Sequence, residues 1–303
     1  MSETASERLV RECYSTWSRD YHRDYYGDDA AYPPVHRGLI AELLERSGAG
    51  SVLDAGCGPA SLLRDLEGPG RDLYGFDLTD EMVDEARRVM AERGHRAERV
   101  WSGSVTDPAA FRCPAEPEVT FDAALCCGVL PHIPDDLEDE VLAHLRGALR
   151  PGGRVVVEAR NSLFGLFTLN RYSWELFRDE LVRADRLREL ADEGEREPLE
   201  GALSALEGLF RTDQPPLRRG AAGEPGYDEV LSRTHHPLQL AESVRAAGFA
   251  EVTLLHYHYH ALPPMIADRV PDLARRASLA MEDPTDPRGL VMASAFLATG
   301  VAA

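Results

Sequence analysis

The chain has 303 residues and is strongly acidic, with 33 Lys and Arg against 52 Asp and Glu and a formal net charge of -19. A field of this sign repels phosphate backbones and anionic lipid surfaces, so it argues against nucleic acids and membranes as partners. We find no apolar leader, no run of transmembrane length and no C-x-x-C pair among the five cysteines, and we therefore expect a cytoplasmic protein.

The first predicted elements are helical. Within residues 7–27, Tyr14, Trp17 and Tyr21 recur at the spacing of one helix face. Such a stripe either packs in a core or faces a ligand, and both interpretations stay open. Residues 36–48 predict a further helix that leads into the first strand.

A glycine turn follows the first strand. Residues 51–54 predict a buried strand, and the turn after it carries Gly56 and Gly58, which let the backbone bend sharply and approach a ligand. A second strand near 72–77 ends on Asp77, where an acid can accept hydrogen bonds from a ribose. These features predict an adenosine-containing ligand at the strand ends of a doubly wound α/β domain.

The same turn disfavours a dinucleotide. A dinucleotide fingerprint needs a third glycine, but Ser61 stands at that position. Pro59 also removes one N–H from the turn. Both changes make a poor pyrophosphate cradle, so a dehydrogenase is the weaker interpretation.

Alternating strands and helices continue through the next hundred residues. Strands are predicted near 98–101, 119–125 and 154–158, with helices such as 80–93 and 136–149 between them. The turn Pro151-Gly152-Gly153 has the residues expected before a buried apolar strand.

Five segments, in order, resemble the motifs of the class I S-adenosylmethionine-dependent methyltransferases. Asp54-Ala-Gly56-Cys-Gly58 is similar to the family's (D/E)-x-G-x-G, although Ala60 stands where many members have a third glycine. The other four segments are 77–86, 103–107, 121–134 and 149–157. The resemblance implies a Rossmann-like seven-stranded sheet that uses S-adenosyl-L-methionine as its cofactor.

The resemblance also assigns positions around that cofactor. Asp77 would hold the ribose hydroxyls, Leu78 and the third-strand loop would lie beside the adenine, and the fourth-strand exit would lie under the methionine part. An N-terminal helix would close over the cofactor. The cofactor-binding residues expected from the motifs are Asp54, Gly56, Gly58, Asp77, Leu78, Ser104, Val105, Cys126 and Tyr21.

About 75 residues, 161–235, have no place in such a core. Thr168–Asp192 and Pro198–Phe210 predict two amphipathic helices, and Gly/Pro-rich breaks follow at 213–226. The core resumes with a helix from His236 to Gly248, strands at 251–259 and 289–298, and an insert at 261–287. We expect three parts: 1–48, an N-terminal helical lid and lead-in; 49–160 plus 236–303, the Rossmann-like core; and 161–235, a helical cap inserted after strand five that binds the substrate.

Three residues are candidates for a base or a substrate anchor. His132 follows strand four, on the loop that the resemblance puts beside the methyl donor, while Glu158 ends strand five and His260 ends strand six. His256, His258 and His260 alternate along one strand and so share a face, but the outer two would lie about 13 Å apart, too far to close on one ion. We therefore expect no metal.

Further candidates lie at the start of the cap and at its junction with the core. Aromatic rings there can form an apolar, cation-tolerant pocket, and arginines can bind a carboxylate or a phosphate. Docking of the cap explains the aromatic rings equally well, and helix capping explains His236. The substrate-binding candidates are Arg160, Phe164, Phe167, Arg171, Tyr172, Trp174 and His236.

The sequence thus predicts S-adenosylmethionine-dependent methyl transfer to a small molecule, in secondary metabolism, by in-line displacement under a closed cap. O-methylation is favoured over N- or C-methylation because no carboxylate-lined amine site is evident. A non-catalytic protein that binds S-adenosylmethionine or S-adenosylhomocysteine is the alternative. We expect a monomer or a homodimer.

Overall fold

The computed structural model describes residues 4–17, 20–27, 32–213, 229–267 and 269–303. The chain divides into two compact units. The first comprises Met1–Arg160, Leu217–Leu255 and Phe296–Ala303, and the second comprises Asn161–Pro216 and His256–Ala295. Most of the Gly/Pro-rich segment predicted at 213–226 lies outside the described residues.

The described residues form strands and helices in an alternating order. The strands are β1 (Ser51–Ala55), β2 (Asp72–Asp77), β3 (Val100–Ser102), β4 (Phe121–Cys126), β5 (Leu149–Arg160), β6 (Phe249–Tyr259) and β7 (Ala293–Ala302). The helices are α1 (Ala5–Ser15), α2 (Tyr21–Tyr26), α3 (Val35–Ser47), α4 (Asp80–Glu92), α5 (Glu138–Ala148), α6 (Gly165–Thr168), α7 (Arg171–Glu175), α8 (Ala184–Leu190), α9 (Arg196–Glu207), α10 (Pro237–Ala246), α11 (Pro264–Ala267), α12 (Pro271–Leu279) and α13 (Gly289–Met292).

The seven strands form one sheet in the order β3-β2-β1-β4-β5-β7-β6. Strand β1 pairs in parallel with β2 on one side and with β4 on the other. The order of the strands therefore reverses between β1 and β4, and ligands of such sheets bind outside the carboxyl ends of the strands at this reversal. This topology confirms the predicted Rossmann-like sheet.

The central strands form the core of the first unit. Leu53 of β1, Leu125 of β4 and Val155 of β5 are fully buried. Apolar runs of this kind suit parallel strands that helices cover on both faces. In β5, Leu149 pairs with Phe121 and the regular register resumes at Arg154, so the predicted turn at 151–153 lies inside the strand as a bulge.

The N-terminal helices begin and end at recognisable signals. Thr4 caps α1: its hydroxyl accepts a hydrogen bond from the Glu7 N–H, and the Glu7 side chain accepts one from the Thr4 N–H. This reciprocal pair is a capping box. The lead-in helix α3 ends at Gly48, which adopts the left-handed backbone with φ 65°.

The second unit does not contain the single long helix predicted at Thr168–Asp192. Leu169 and Arg183 adopt left-handed backbone with φ 55° and 54°, which breaks the segment into α6, α7, a π-helical stretch at Leu176–Leu181 and α8. Asn170 restarts the helix, because its side chain accepts a hydrogen bond from the Tyr172 N–H. The other helix predicted in this segment is present as α9.

Asn161 holds the second unit's two chain segments together. Its side-chain amide donates hydrogen bonds to the carbonyls of Gly289, Leu290 and Ala293 at 3.3, 3.0 and 2.8 Å. The last strand was predicted from residue 289, but residues 289–292 form the short helix α13 instead. The placement of 161–235 as a cap stays a prediction. Among the described residues, no helix is long and apolar enough to cross a bilayer.

Candidate active site

The glycine turn after β1 is held by the neighbouring strand. The N–H groups of Gly56 and Cys57 both donate to the Phe76 carbonyl, at 2.8 and 2.9 Å. Gly56 has φ 85°, and a Cβ there would lie 2.3 Å from Cγ2 of Val129. The turn therefore requires glycine at this position, both for its backbone and for the close approach of the loop after β4.

Asp77 closes this turn from the end of β2. Its Oδ2 accepts a hydrogen bond from the Gly58 N–H and its Oδ1 accepts one from the Thr79 N–H, each at 2.9 Å. Burial raises the pKa of Asp77, although these backbone hydrogen bonds lower it. The carboxyl group is thus fixed where two strands and the glycine turn meet.

Asp54 lies directly before the glycine turn and is 2% exposed. Its Oδ1 has no hydrogen-bond partner among the described residues. Burial, with the neighbouring charges of Asp77 and Glu158, raises the pKa of Asp54 to about 7. A buried acceptor without a partner is costly, so this oxygen is suited to a donor supplied by a ligand or a water.

A pocket with about 730 Å³ of empty space, its open mouth included, lies at these strand ends. Its walls come from the glycine turn, from the ends of β2 and β3, from the loop after β4 and from the N-terminal helices. The lining residues are Glu7, Val10, Tyr14, Tyr21, Gly56, Gly58, Asp77, Leu78, Thr79, Met82, Gly103, Ser104, Val105, Cys127, Gly128, Val129, His132 and Ile133.

Helix α1 is attached to this pocket through Glu7. The Glu7 Oε1 accepts hydrogen bonds from the hydroxyls of Ser104 and Thr106, at 2.5 and 2.9 Å. Partial burial raises the pKa of Glu7, but the hydrogen bonds from Ser104, Thr4 and Thr106 outweigh it, so the pKa is lowered. Glu7 is therefore an ionised anchor between α1 and the loop after β3.

The opposite end of α1 reaches His132. The Tyr14 hydroxyl lies 2.9 Å from Nε2 of His132, and Nδ1 of His132 lies 2.7 Å from the Leu231 carbonyl. A carbonyl can only accept, so Nδ1 carries the proton. Burial lowers the pKa of His132 to about 4, although its hydrogen bond with the Leu231 carbonyl raises it. At neutral pH the ring is uncharged, and Nε2 accepts the hydrogen bond that Tyr14 donates.

Comparison with known proteins agrees with this geometry. Residues 53–155 match the family model described as a methyltransferase domain. A ubiquinone biosynthesis O-methyltransferase from Xanthomonas axonopodis pv. citri is 33% identical over 140 residues, which are 46% of this chain and 54% of that protein. This chain thus spans about half the length of the curated relatives it matches. An uncharacterised methyltransferase from Geobacillus kaustophilus is 28% identical over 208 residues, 67% of this chain and 87% of that protein.

At residues 53–155 the chain thus resembles the class I S-adenosylmethionine-dependent methyltransferases. Two solved structures share the fold. One is an S-adenosylmethionine-dependent methyltransferase from Clostridium acetobutylicum, with TM-score 0.54 and 11% identity over 96% of this chain and 99% of that one. The other is magnesium protoporphyrin IX methyltransferase from Synechocystis PCC 6803 with bound S-adenosylhomocysteine, with TM-score 0.52 and 16% identity over 98% of this chain and 100% of that one.

S-adenosylmethionine is the cofactor of the class I methyltransferases that residues 53–155 resemble, and the pocket has features that fit it. The unpartnered Oδ1 of Asp54 offers an acceptor to a ligand, and the glycine turn at Gly56 leaves no side chain between the backbone and the pocket. Asp77 offers a second carboxyl group at the end of β2. These are the groups that would hold a ligand with both hydroxyl and ammonium donors.

Most residues expected to bind the cofactor line this pocket. They are Tyr21, Gly56, Gly58, Asp77, Leu78, Ser104 and Val105, and the expected catalytic residue His132 lines it as well. Asp54 and Cys126 lie behind the lining, and Cys127, rather than the fully buried Cys126, reaches the pocket. Glu158, on β5, raises the pKa of Asp54 through its charge.

Two expected substrate-binding residues, Arg160 and His236, belong to the first unit of the chain. The Arg160 carbonyl accepts a hydrogen bond from the His235 N–H at 2.7 Å, and the Arg160 guanidinium donates to the Ser232 hydroxyl. His236 is the residue before α10, and its side chain makes no capping hydrogen bond. The roles proposed for both residues stay predictions.

The remaining candidates belong to the second unit. The Phe164 ring lies 4.6 Å from the His260 ring and 6.3 Å from the Phe167 ring, between centroids. The Arg171 guanidinium lies over the Tyr172 ring, and that of Arg178 lies over the Trp174 ring. The His260 ring therefore contacts Phe164, one of the expected substrate-binding residues. The described residues contain no cluster of three or more His, Cys, Asp or Glu side chains that could hold a metal ion.

Sequence reasoning missed the pocket residues that come from distant parts of the chain. Glu7 belongs to a Thr4-x-x-Glu7 pattern that predicts a helix start, but this pattern carries no signal for its contact with Ser104. Likewise Tyr14 is visible as an aromatic residue at helical spacing, whereas its bond to His132 is not. The contact of Leu231 with His132 is also unreadable from the sequence, because a backbone carbonyl has no residue signature.

Proposed function

We propose that this protein transfers a methyl group from S-adenosylmethionine to a hydroxyl group of a small molecule, with Tyr14 and His132 removing the proton. The observation that carries the proposal is the hydrogen-bond chain from Tyr14 through His132 to the Leu231 carbonyl, at the pocket wall. It places an uncharged imidazole with an accepting nitrogen at the cofactor pocket.

The cofactor, when bound, supplies an electrophilic methyl group on a sulfonium. The protein's own task is to hold the acceptor, exclude water and take one proton. The Tyr14 hydroxyl donates a hydrogen bond to Nε2 of His132. The lone pairs of the Tyr14 oxygen can therefore accept a hydrogen bond from the hydroxyl group of the substrate. The acceptor proton then moves to the Tyr14 oxygen while the Tyr14 proton moves to Nε2.

The low pKa of His132 is compatible with this role. An oxygen that forms a bond to a methyl group becomes strongly acidic, so a weak base takes its proton as the bond forms. The same low pKa keeps the ring uncharged across the neutral range. Burial then disfavours the imidazolium that results, and the proton leaves to solvent as the product departs.

Pocket charge supports an uncharged or cationic acceptor. Glu7 and Asp77 are the ionisable acids among the lining residues, and neither Lys nor Arg is among them. An anionic acceptor would find no charge partner there. Because Asp77 is expected to bind the cofactor and Glu7 is held by Ser104 and Thr106, a hydroxyl acceptor is favoured over an amine that would need a free carboxylate.

We also propose that residues 161–235 carry the specificity for the acceptor, through the aromatic and arginine side chains at 160–174 and with His260. A large segment of this kind, outside the sheet, supports a role in secondary metabolism. A cytoplasmic location and a monomeric or homodimeric state complete the proposal.

The test is methyl transfer from S-adenosylmethionine to a panel of phenols, alcohols and amines, read by mass spectrometry of the methylated product. We expect product with hydroxyl acceptors, and we expect His132→Ala to lower turnover about 100-fold or more while cofactor affinity, from calorimetry, stays unchanged. His95→Ala, which removes a histidine bound to Glu67 outside the pocket, is the matched control. Transfer to amines alone would overturn the hydroxyl assignment, and cofactor binding without any transfer would favour the non-catalytic alternative.

A further inference from the structure

A segment distant in sequence packs against the turn that carries His132. We name residues 230–235 the strap. The Arg233 N–H donates to the Pro131 carbonyl and the Arg233 guanidinium donates to the Ile133 carbonyl, both at 2.8 Å. With the bond between Nδ1 of His132 and the Leu231 carbonyl, the strap contacts three consecutive residues of this turn.

His235, the last residue of the strap, is anchored to β5 and α5. The His235 N–H donates to the Arg160 carbonyl, and Nε2 of His235 lies 3.1 Å from Oε2 of Glu138. The Arg233 guanidinium lies 3.2 Å from the same carboxyl oxygen and also pairs with Asp135. Glu138 and His235 are almost fully buried, whereas Asp135 is exposed, so the bond between His235 and Glu138 is the shielded part of this network.

The charge of Glu138 is maintained by these partners. Burial raises the pKa of Glu138, but its hydrogen bond with His235 and the charge of Arg233 outweigh burial and lower the pKa. An ionised, buried carboxylate with two cationic or donating partners is a fixed anchor, and loss of one partner leaves the others poorly satisfied. The strap is therefore held at a defined position relative to α5.

The geometry of the strap decides which nitrogen of His132 carries the proton. Leu231 itself is 36% exposed, so its carbonyl is held by the strap's anchors rather than by burial of its side chain. As long as that carbonyl faces Nδ1, the proton stays there and Nε2 is left with a lone pair. Without it, an uncharged imidazole populates both tautomers, and a proton on Nε2 would make Tyr14 an acceptor.

We propose that Arg233, Glu138 and His235 are positioning residues: through the strap they hold the Leu231 carbonyl against His132 and so fix the tautomer that the proton transfer needs. The effect on catalysis rests on the proposed function, whereas the tautomer of His132 can be measured without any substrate. Among the groups that face His132 are the Tyr14 hydroxyl from α1, the Leu231 carbonyl from the strap and the charge of Arg160 from β5.

The experiment is ¹⁵N NMR of the full chain labelled at histidine, because the two nitrogen shifts distinguish the tautomers and need no substrate. We expect the wild-type protein to have its proton on Nδ1 of His132, with His132→Gln used to assign the signal. In Arg233→Ala we expect both tautomers, with kcat lowered about tenfold and the KM for the cofactor unchanged. Arg233→Lys, which keeps a cation beside Glu138, should recover part of the Nδ1-protonated population and part of kcat.

The matched control is Arg245→Ala, which removes an exposed arginine paired with Glu242 on α10. If Arg233→Ala does not fold, Glu138→Gln keeps the shape of the anchor, lacks its charge and should give the same mixture of tautomers. A wild-type proton on Nε2, or an unchanged tautomer in the folded strap variants, would overturn the inference. Full turnover in His132→Ala would instead refute the proposed function and leave the tautomer result standing.

Discussion

The contact of Glu7 with the loop after β3 predicts how firmly α1 is docked on the pocket. Besides the capping-box hydrogen bonds from Thr4, Glu7→Ala removes two hydrogen bonds that join α1 to the loop after β3, from Ser104 at 2.5 Å and from Thr106 at 2.9 Å. Hydrogen bonds to charged groups contribute about 1.5–3 kcal/mol each when buried, and we halve this because Glu7 is partly exposed. The loss is then about 2 kcal/mol, which corresponds to an opening constant about 30-fold larger.

Native-state hydrogen exchange measures this opening directly. In Glu7→Ala we expect the backbone amides at 8–13 of α1 to exchange about 30-fold faster than in the wild type. Glu12→Ala is the matched control, because Glu12 is an exposed glutamate on the same helix. Equal acceleration in both variants would show that helix propensity, rather than the contact with Ser104, decides the docking.

The same contact has a pH dependence of defined sign. The pKa of Glu7 is lowered from its ordinary value of 4.5, so the docked state gains stability from the ionised carboxylate. This contribution is fully present above pH 4.5 and is lost as the pH falls through the lowered pKa. Protection factors at α1, which are corrected for the intrinsic exchange rate at each pH, should therefore fall on acidification below pH 4.5 in the wild type and not in Glu7→Gln.

Two further predictions concern the glycine turn. Gly56→Ala should lower the free energy of unfolding by about 1–3 kcal/mol and weaken cofactor binding, since its Cβ would lie 2.3 Å from Val129. The control is Gly147→Ala, whose Cβ would have no atom within 4 Å and which should have neither effect. Equal thermal unfolding of the two variants would contradict the argument. Because burial raises the pKa of Asp54 to about 7, its ionisation opposes folding, so urea unfolding should show stability falling by about 4 kcal/mol as the pH rises from 4 to above 7. Asp54→Asn should remove this contribution and leave that of Asp77, whose pKa burial also raises; an unchanged slope would refute the assignment to Asp54.

The sequence predicted the sheet well because each strand and turn is determined by residues within it. The apolar runs, the glycines at 56 and 58 and the acid at Asp77 each determine their own backbone, and the parallel sheet brings them together. The helix predicted at 168–192 was wrong because its amphipathic spacing gave no sign of the left-handed residues Leu169 and Arg183. Strand ends were likewise shifted by a few residues, as at β7, where a helical turn precedes the strand.

The site was predictable only where a residue's own neighbours decide its role. His132 could be selected because it follows β4, but its tautomer depends on the Leu231 carbonyl and its partner on Tyr14. Glu7 caps its own helix and also accepts a hydrogen bond from Ser104, which is distant in sequence. Only the capping role can be predicted from the sequence. Long-range contacts of this kind depend on how elements pack, which one sequence does not reveal.

The imidazole of His132 is held on both sides by segments that are remote along the chain. Tyr14 lies 118 positions before it and Leu231 lies 99 positions after it. Each contact closes a long loop, and such closures are entropically expensive and slow. The reactive geometry consequently has no local precursor during folding. A refolding chain should acquire its sheet before it acquires the contacts around His132, so the proposed methyl transfer would report on the last stage of folding.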